Sequence, residues 1–181
     1  MNQQNGWDVK FCHKNIELTD ANCLTVHRKG NEKACWCSVF AKHSILKTLA
    51  DSGNFYFEIG VETSQYTYGL LFGIAVKTPL QLGENIRNRR DTYAYQCNGQ
   101  FWINGALKHG NVGYYAGDVV GCGVLATRQI IFTKNGHRLG TSDLAISSSF
   151  SAGQIFPYVS LLSFGDEIET NFGPNFFLAN I

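Results

Sequence analysis

Short runs of β-branched and aromatic residues alternate with turn residues along this chain, and no window carries an apolar face at helical spacing. The pattern predicts strands at residues 24–27, 36–40, 55–61, 70–76, 92–96, 100–103, 119–125, 129–133, 156–162 and 167–171. Helical turns are predicted at 45–49 and 79–82, and longer loops at 42–54, 77–91 and 141–154. Short antiparallel strands separated by turns are typical of an all-β sandwich or barrel.

Asn-Gly pairs mark the tightest turns, because this dipeptide adopts the positive φ angles that a two-residue hairpin needs. Asn98-Gly99 and Asn135-Gly136 each lie between two strand-like runs, so both are predicted to close hairpins. Asn104-Gly105 and Gly110-Asn111 are interpreted as an irregular connection. Glycines at 121 and 123 lie inside a predicted strand, which indicates a central strand packed closely against the facing sheet.

Charge and hydropathy exclude several classes of partner. The formal net charge is +1, so no general attraction to nucleic acid or to an acidic membrane is expected. The longest apolar stretch, residues 68–76, is far shorter than the ~20 residues of a membrane helix. The first residues lack a secretory pattern, which leaves two alternatives: a protein that is not secreted, or a mature form with a new initiator Met.

The cysteines are interpreted as reduced structural thiols. There are six of them, but a domain of 181 residues does not need disulfide staples. Cys35 and Cys37 flank Trp36, so both sulfurs are predicted on one face of a strand. Metal sites prefer Cys-x-x-Cys spacing with further ligands at matched distances, and the histidines are scattered, so no metal is predicted.

No catalytic or cofactor-binding set is recognisable. Cys122 has apolar neighbours in Val120 and Val124, which favours a buried small hydrophobe over a nucleophile. Gly121-Cys122-Gly123 begins like a dinucleotide fingerprint, but it lacks the third glycine and the following helix. Asp118 is interpreted as a turn cap. We therefore predict no enzyme activity, no cofactor and no metal.

Candidate binding residues are arginines and aromatics outside the predicted strand cores, since Arg, Trp and Tyr dominate interface hot spots. The candidates are Arg87, Arg90, Trp102, Tyr114, Tyr115 and Phe164. Two alternatives stay open: the arginine run is a solvated loop, and a loop aromatic tucks under its own loop. The aromatics assigned to the core are Tyr56, Phe72, Tyr95, Phe132 and Phe172.

A series of motifs along the chain resembles the SPRY domain family. In order they are Tyr56-Phe57-Glu58-Ile59, Phe72-Gly73-Ile74-Ala75, Gly117-Asp118-Val119-Val120-Gly121-Cys122-Gly123-Val124, Ile131-Phe132-Thr133-Lys134-Asn135-Gly136, Phe156-Pro157 and Asn171-Phe172-Gly173. The resemblance implies a bent sandwich of two antiparallel sheets whose end loops bind partners. It covers nearly the whole chain, so one domain is expected over residues 1–181. Residues 1–40 are expected to form its N-terminal extension packed on the sandwich, with short helical or irregular segments.

Both ends of the chain resemble the SPRYSEC proteins, secreted effectors of plant-parasitic cyst nematodes. The segments that carry this likeness are Asn5-Gly6-Trp7-Asp8, Cys12-His13-Lys14, Leu24-Thr25-Val26, Trp36-Cys37-Ser38-Val39, residues 124–131 and Asn171-Phe172-Gly173-Pro174-Asn175-Phe176. Cys37 departs from the arginine common there, and residues 104–116 are shorter than usual on the variable binding side. Partner identity is therefore not carried over.

The SPRYSEC resemblance implies a secreted, monomeric effector. Such a protein would be delivered to the cytoplasm or nucleus of the host plant cell, where it would bind host proteins, including immune receptors, and modulate immunity. The alternative is a cytoplasmic scaffold or adaptor domain of the Ran-binding-protein type.

Overall fold

The computed structural model describes residues 4–30, 34–45, 53–78, 82–108, 110, 112–141, 143–149 and 151–177. These residues form a sandwich of two seven-stranded sheets in which all neighbouring strands are antiparallel. The all-β sandwich expected from the sequence is confirmed. No helix in the described part of the chain is long and apolar enough to cross a membrane.

Each sheet collects strands from distant parts of the chain. Sheet A has the order β1 (Trp7–Cys12), β4 (Cys37–Ala41), β13 (Ile155–Leu161), β6 (Leu70–Val76), β7 (Thr92–Gln96), β8 (Phe101–Ile103) and β9 (Ala106–Lys108). Sheet B has the order β12 (His137–Arg138), β11 (Ile130–Lys134), β10 (Val119–Val124), β5 (Phe55–Thr63), β14 (Glu167–Asn171), β3 (Thr25–Arg28) and β2 (Ile16–Leu18). Residues 1–40 thus supply strands to both sheets.

Aromatic rings fill the space between the sheets. Phe72 of sheet A meets Phe57 and Phe132 of sheet B edge-on, with ring centres 6.0 and 6.1 Å apart. Tyr95 lies 5.8 Å from Phe132. Edge-to-face contacts of this kind stabilise beyond the area that they bury. The core assignments of Phe72, Tyr95 and Phe132 are confirmed, since all three are fully buried.

Two further predicted core aromatics lie in different surroundings. Phe172 packs partly buried against the main core and stacks on Phe57 at 5.5 Å. Tyr56 is buried in a separate small cluster with Ile131, which Phe176 helps to cover. Its neighbours in β5, Phe55 and Phe57, belong to the main core. Successive side chains of a strand point to opposite faces, so Tyr56 points away from the main core.

Every predicted strand is present with its ends within two residues of the prediction. Four strands were missed, namely β1, β2, β9 and β12. Three of these span three residues or fewer, too short for an alternation of apolar and polar residues to be recognised.

Both predicted hairpins are present, and the connection interpreted as irregular needs correction. Asn135-Gly136 joins Lys134 to His137 with positive φ at both positions, a two-residue turn as expected. Asn98-Gly99 is part of a longer connection, because the amide of Gln96 donates to the carbonyl of Gln100. Asn104-Gly105, interpreted as irregular, is a tight turn with positive φ at both residues between Ile103 and Ala106.

The predicted helical turns lie largely outside the described residues, which exclude 46–50 and 79–81. Short 3₁₀ turns are present instead at Ile86–Asn88 and Ala152–Gln154. Ile86 anchors the first of them, since its side chain is buried in a second apolar cluster with Phe40 and Tyr158.

Candidate functional site

The loops of the sandwich gather at two opposite ends. Strand β6 runs from one end to the other and pairs with β7 and β13, which fixes where the neighbouring loops lie. The basic end, as we name it, comprises residues 77–78, 88–91, 104–105, 141, 143–149 and 151–154. The aromatic end comprises residues 64–69, 97–99, 112–118 and 162–166. Of the candidate binding residues, Arg90 lies at the basic end, and Tyr114, Tyr115 and Phe164 lie at the aromatic end. Arg87 and Trp102 lie at neither end and meet beside Gln96.

Arg87 and Trp102 form one unit beside Gln96, the last residue of β7. The guanidinium carbon of Arg87 lies 4.6 Å from the centre of the Trp102 ring, within cation–π range. Arg87 Nη1 and Trp102 Nε1 both donate to Gln96 Oε1, at 3.1 and 3.0 Å. Burial lowers the pKa of Arg87, because the charged form loses hydration. The structure therefore brings two of the candidate binding residues into direct contact.

Arg90 lies nearby in an open depression of about 350 Å³ that is also lined by Asn104, Ser147 and Ser149. Its neighbour Arg89 is bound instead to Asp91, with the two side chains 2.8 Å apart. The hydrogen bond to Asp91 raises the pKa of Arg89. Arg90 is thus an exposed cation on the rim of a polar depression.

The aromatic end carries a cluster of exposed apolar side chains. Tyr66, Tyr68, Val112, Tyr115 and Phe164 are each between 50% and 57% exposed. The rings of Tyr66 and Tyr68 stack with their centres 5.7 Å apart. We call these five residues the aromatic end surface. Large exposed apolar groups that gather in one place mark interaction sites, whereas scattered ones do not.

Hydrogen bonds between loops hold the aromatic end in place. The Gln65 amide donates to Asp166 Oδ1 at 2.8 Å, and the Leu162 amide donates to the Gly69 carbonyl at 2.8 Å. The Tyr114 amide donates to the carbonyl of Cys97 at 2.9 Å. Each loop is therefore connected to another loop as well as to its own strands.

Tyr114 and Tyr115 are neighbours in sequence with opposite environments. Tyr114 is 1% exposed, and its hydroxyl donates to the carbonyls of Leu70 and Tyr95, at 3.3 and 3.1 Å. Its burial raises its pKa well above the ordinary value. Because Tyr114 belongs to the core, we leave it out of the aromatic end surface. The alternative of a loop aromatic tucked under its own loop describes this residue.

Charged groups flank Tyr115. Asp118 accepts from the Tyr115 amide at 2.9 Å and forms an ion pair with Lys134 at 3.0 Å. Partial burial by itself would raise the pKa of Asp118, but hydrogen bonds from Asn135, the Tyr115 amide and Lys134 outweigh it and lower the pKa. Asp118 caps this turn, as expected from the sequence.

Sequence reasoning missed Tyr66, Tyr68 and Val112. The two tyrosines lie in a polar connection that contains Ser64, Gln65 and Gly69, where no strand or motif drew attention to them. A pair of tyrosines spaced by one residue outside any strand was the available signal. This spacing indicates a binding surface only when Phe164, which is distant in sequence, is known to lie at the same end of the sandwich.

No catalytic constellation accompanies these surfaces in the described residues. Cys122 is fully buried, and this burial raises its pKa, which disfavours the thiolate. Among the described residues no group of three or more His, Cys, Asp or Glu side chains is arranged to hold a metal ion.

Comparison with known proteins identifies the family. Residues 54–175, two thirds of the chain, match the family model described as the SPRY domain. Ran-binding protein 9 of Xenopus laevis is 31% identical over 184 residues, which cover 97% of this chain and 31% of that protein. SPRY domain-containing protein 3 of Homo sapiens is 28% identical over 159 residues, 83% of this chain and 33% of that protein. The chain thus spans about a third of the length of these relatives.

Solved structures show the same fold. The crystal structure of a human SPRY domain matches with a TM-score of 0.72 and 24% identity, covering 90% of this chain and 98% of that one. The SPRY domain of human HERC1 matches with a TM-score of 0.67 at 16% identity, over 94% of this chain and 99% of that one. The chain therefore belongs to the SPRY domain family, whose members are protein-interaction modules.

Proposed function

We propose that this domain is a non-catalytic binding module that engages a protein partner through the aromatic end surface. The observation that carries the proposal is the exposure of Tyr66, Tyr68, Val112, Tyr115 and Phe164 on neighbouring loops at one end of the sandwich. Tyrosine and phenylalanine are enriched in protein interfaces, where they bury large areas at low entropic cost. An isolated domain gains nothing from exposing five such groups together.

The loops that carry this surface are held together before any partner arrives. Asp166 accepts from the Gln65 and Ser163 amides at 2.8 and 3.0 Å, which connects the Tyr66 loop with the Phe164 loop. Tyr95 donates through its hydroxyl to the carbonyl of Val112. Binding should therefore need little rearrangement, and its entropic cost should be small.

Paired variants at the two ends test this proposal. The partner is first captured from lysate with the wild-type domain and purified, and its Kd is then measured by titration calorimetry. The aromatic variant carries Tyr66→Ser, Tyr115→Ser and Phe164→Ser. We expect its Kd to rise at least about 30-fold, because hot-spot truncations cost about 2 kcal/mol or more.

The matched control changes the basic end with Arg90→Ala, and a third variant, Arg87→Ala with Trp102→Ala, changes the remaining candidates. Circular dichroism and thermal unfolding verify that all variants are folded. If either of these variants loses binding while the aromatic variant keeps it, the partner binds elsewhere and the proposal is wrong.

The biological setting is a separate proposal. The resemblance of both chain ends to SPRYSEC proteins supports a nematode effector that is secreted and delivered to the cytoplasm or nucleus of host plant cells. Its partners would be host proteins, including immune receptors. The matches to Ran-binding proteins support the alternative, a cytoplasmic scaffold domain. The complete transcript tests the choice, because a cleavable signal supports the effector and further domains support the scaffold.

A further inference from the structure

Two cysteine sulfurs and a buried arginine meet where β3 and β4 approach the aromatic end. Cys35 Sγ lies 3.6 Å from Cys37 Sγ. Arg28 Nη2 donates to Cys35 Sγ at 3.2 Å. Cys37 is fully buried and Cys35 is partly exposed, so solvent reaches the pair through Cys35.

Arg28 is a charged residue in a fully buried position. Its side chain is fully buried, its other hydrogen bonds go to the backbone carbonyls of Lys29 and Asn15, and its Nε has no hydrogen-bond partner. The charge of Arg28 acts on Asp166 through space, but in the described part of the chain no ion pair joins Arg28 to a carboxylate. A buried guanidinium is costly to leave without a hydrogen-bond acceptor, and Arg28 Nη2 is directed at the sulfur of Cys35.

We propose that Cys35 and Cys37 form a peroxide-sensitive dithiol, with Cys35 as the attacking sulfur and Cys37 as the resolving sulfur. The Cys35 thiolate attacks one oxygen of hydrogen peroxide, the O–O bond breaks, and Cys35 becomes a sulfenic acid while hydroxide leaves. The Cys37 thiol then attacks Cys35, which forms the S–S bond and releases water. Overall, two thiols are oxidised to a disulfide and one peroxide is reduced to two waters.

Among the described residues, Cys35 is the cysteine whose sulfur accepts a hydrogen bond from an arginine. Burial raises the pKa of Cys12 and of Cys97 to about 11 each, which disfavours the reactive thiolate. Cys122 is fully buried. Oxidation should therefore be selective for the Cys35–Cys37 pair, because reactivity follows thiolate character and access.

Peptide mapping tests the proposal on the full chain. The reduced protein is treated with hydrogen peroxide, its remaining thiols are alkylated, and trypsin then releases residues 34–42 as one peptide that holds both cysteines. We expect this peptide to lose two hydrogen atoms and to take up no alkyl group, and dithiothreitol to reverse both changes. A peptide that stays fully alkylated after peroxide treatment would overturn the proposal.

Single variants separate the two roles. In Cys37→Ser the sulfenic acid has no resolving partner, so dimedone should label Cys35. In Cys35→Ser the labelling of residues 34–42 should be lost, because Cys37 is shielded from solvent. Cys23→Ser is the matched control and should leave the oxidation of the pair unchanged. Absence of the dimedone adduct in Cys37→Ser, or a disulfide from Cys35 to a different peptide, would refute the assigned roles.

Discussion

Replacement of Gly121 by alanine would place a methyl group inside a buried polar network. An ideal Cβ on Gly121 would lie 2.0 Å from the Tyr56 hydroxyl oxygen and 2.6 Å from Thr133 Oγ1. The Tyr56 hydroxyl is 2.7 Å from Thr133 Oγ1 and donates to Glu58 Oε1 at 3.1 Å. These three side chains are at most 5% exposed. The hydroxyl must therefore move away, and the network must open.

The cost of this substitution follows from two effects. Forcing an extra methyl group into a packed region costs about 1–3 kcal/mol. Leaving a buried hydroxyl or carboxylate without its partner costs about 1–3 kcal/mol more. We therefore expect Gly121→Ala to lower the free energy of unfolding by about 2–6 kcal/mol. A loss of about 3 kcal/mol corresponds to a fall in Tm of roughly 6–12 °C for a chain of this size.

Urea unfolding and calorimetry measure this loss, and Gly117→Ala is the matched control. Gly117 has φ near 90°, but nothing lies within 4 Å of the position that a Cβ would take there, so alanine carries a backbone cost of about 1–2 kcal/mol and no clash. Tyr56→Phe completes a double-mutant cycle with Gly121→Ala. Both changes disrupt the same hydrogen bonds, so the double variant should lose less than the sum.

Two results would refute this reasoning. One is a Gly121→Ala variant whose stability is within about 0.5 kcal/mol of wild type, the range of ordinary surface substitutions. The other is a double variant whose loss equals the sum of the single losses, which would mean that Gly121 and Tyr56 act independently.

Three further predictions concern hydrogen bonds and charge. Trp7→Phe should lower the free energy of unfolding by about 1–3 kcal/mol in urea titrations, because the indole Nε1 donates to buried Thr170 Oγ1 at 2.9 Å. Asp118→Asn should reduce the loss of stability in acid, measured as Tm against pH. The lowered pKa of Asp118 stabilises the fold above its ordinary value of 3.8, and this contribution disappears as the pH falls below that value. Asn135→Ala should cost about 1–2 kcal/mol by thermal unfolding, because Asn135 has φ near 49° and its side chain accepts from the Val119 amide at 2.9 Å.

The burial of Tyr114 and the exposure of Tyr115 could not be predicted from the sequence. Both tyrosines were candidates for binding, since nothing in their local sequence distinguishes them. Contacts with residues far away in the chain separate them: Tyr114 reaches the carbonyl of Leu70, whereas Tyr115 lies at the surface beside Lys134. Which side of a loop faces the core depends on the strands beneath it.

The end of the sandwich at which a candidate residue lies also depends on how the strands pair. Arg90 lies just before β7, whose first residue Thr92 pairs with Ala75 near the end of β6. Phe164 follows β13, whose last residue Leu161 pairs with Leu70 at the start of β6. Arg90 and Phe164 therefore lie at opposite ends of sheet A. A sequence that predicts both strands still leaves this open, because it does not state which strands pair.

Local physical chemistry determined most of the strands of this protein and the turn at Asn135-Gly136. Alternation of apolar and polar side chains acts over a few residues, and Asn-Gly sets positive φ within its own turn, so both can be recognised in the sequence. The tertiary structure decided which loops meet, which tyrosine is buried, and that Arg28 lies against the sulfur of Cys35. Those contacts depend on which strands pair with one another. Strand pairing depends in turn on the packing of the whole sandwich, and a local sequence pattern does not determine it.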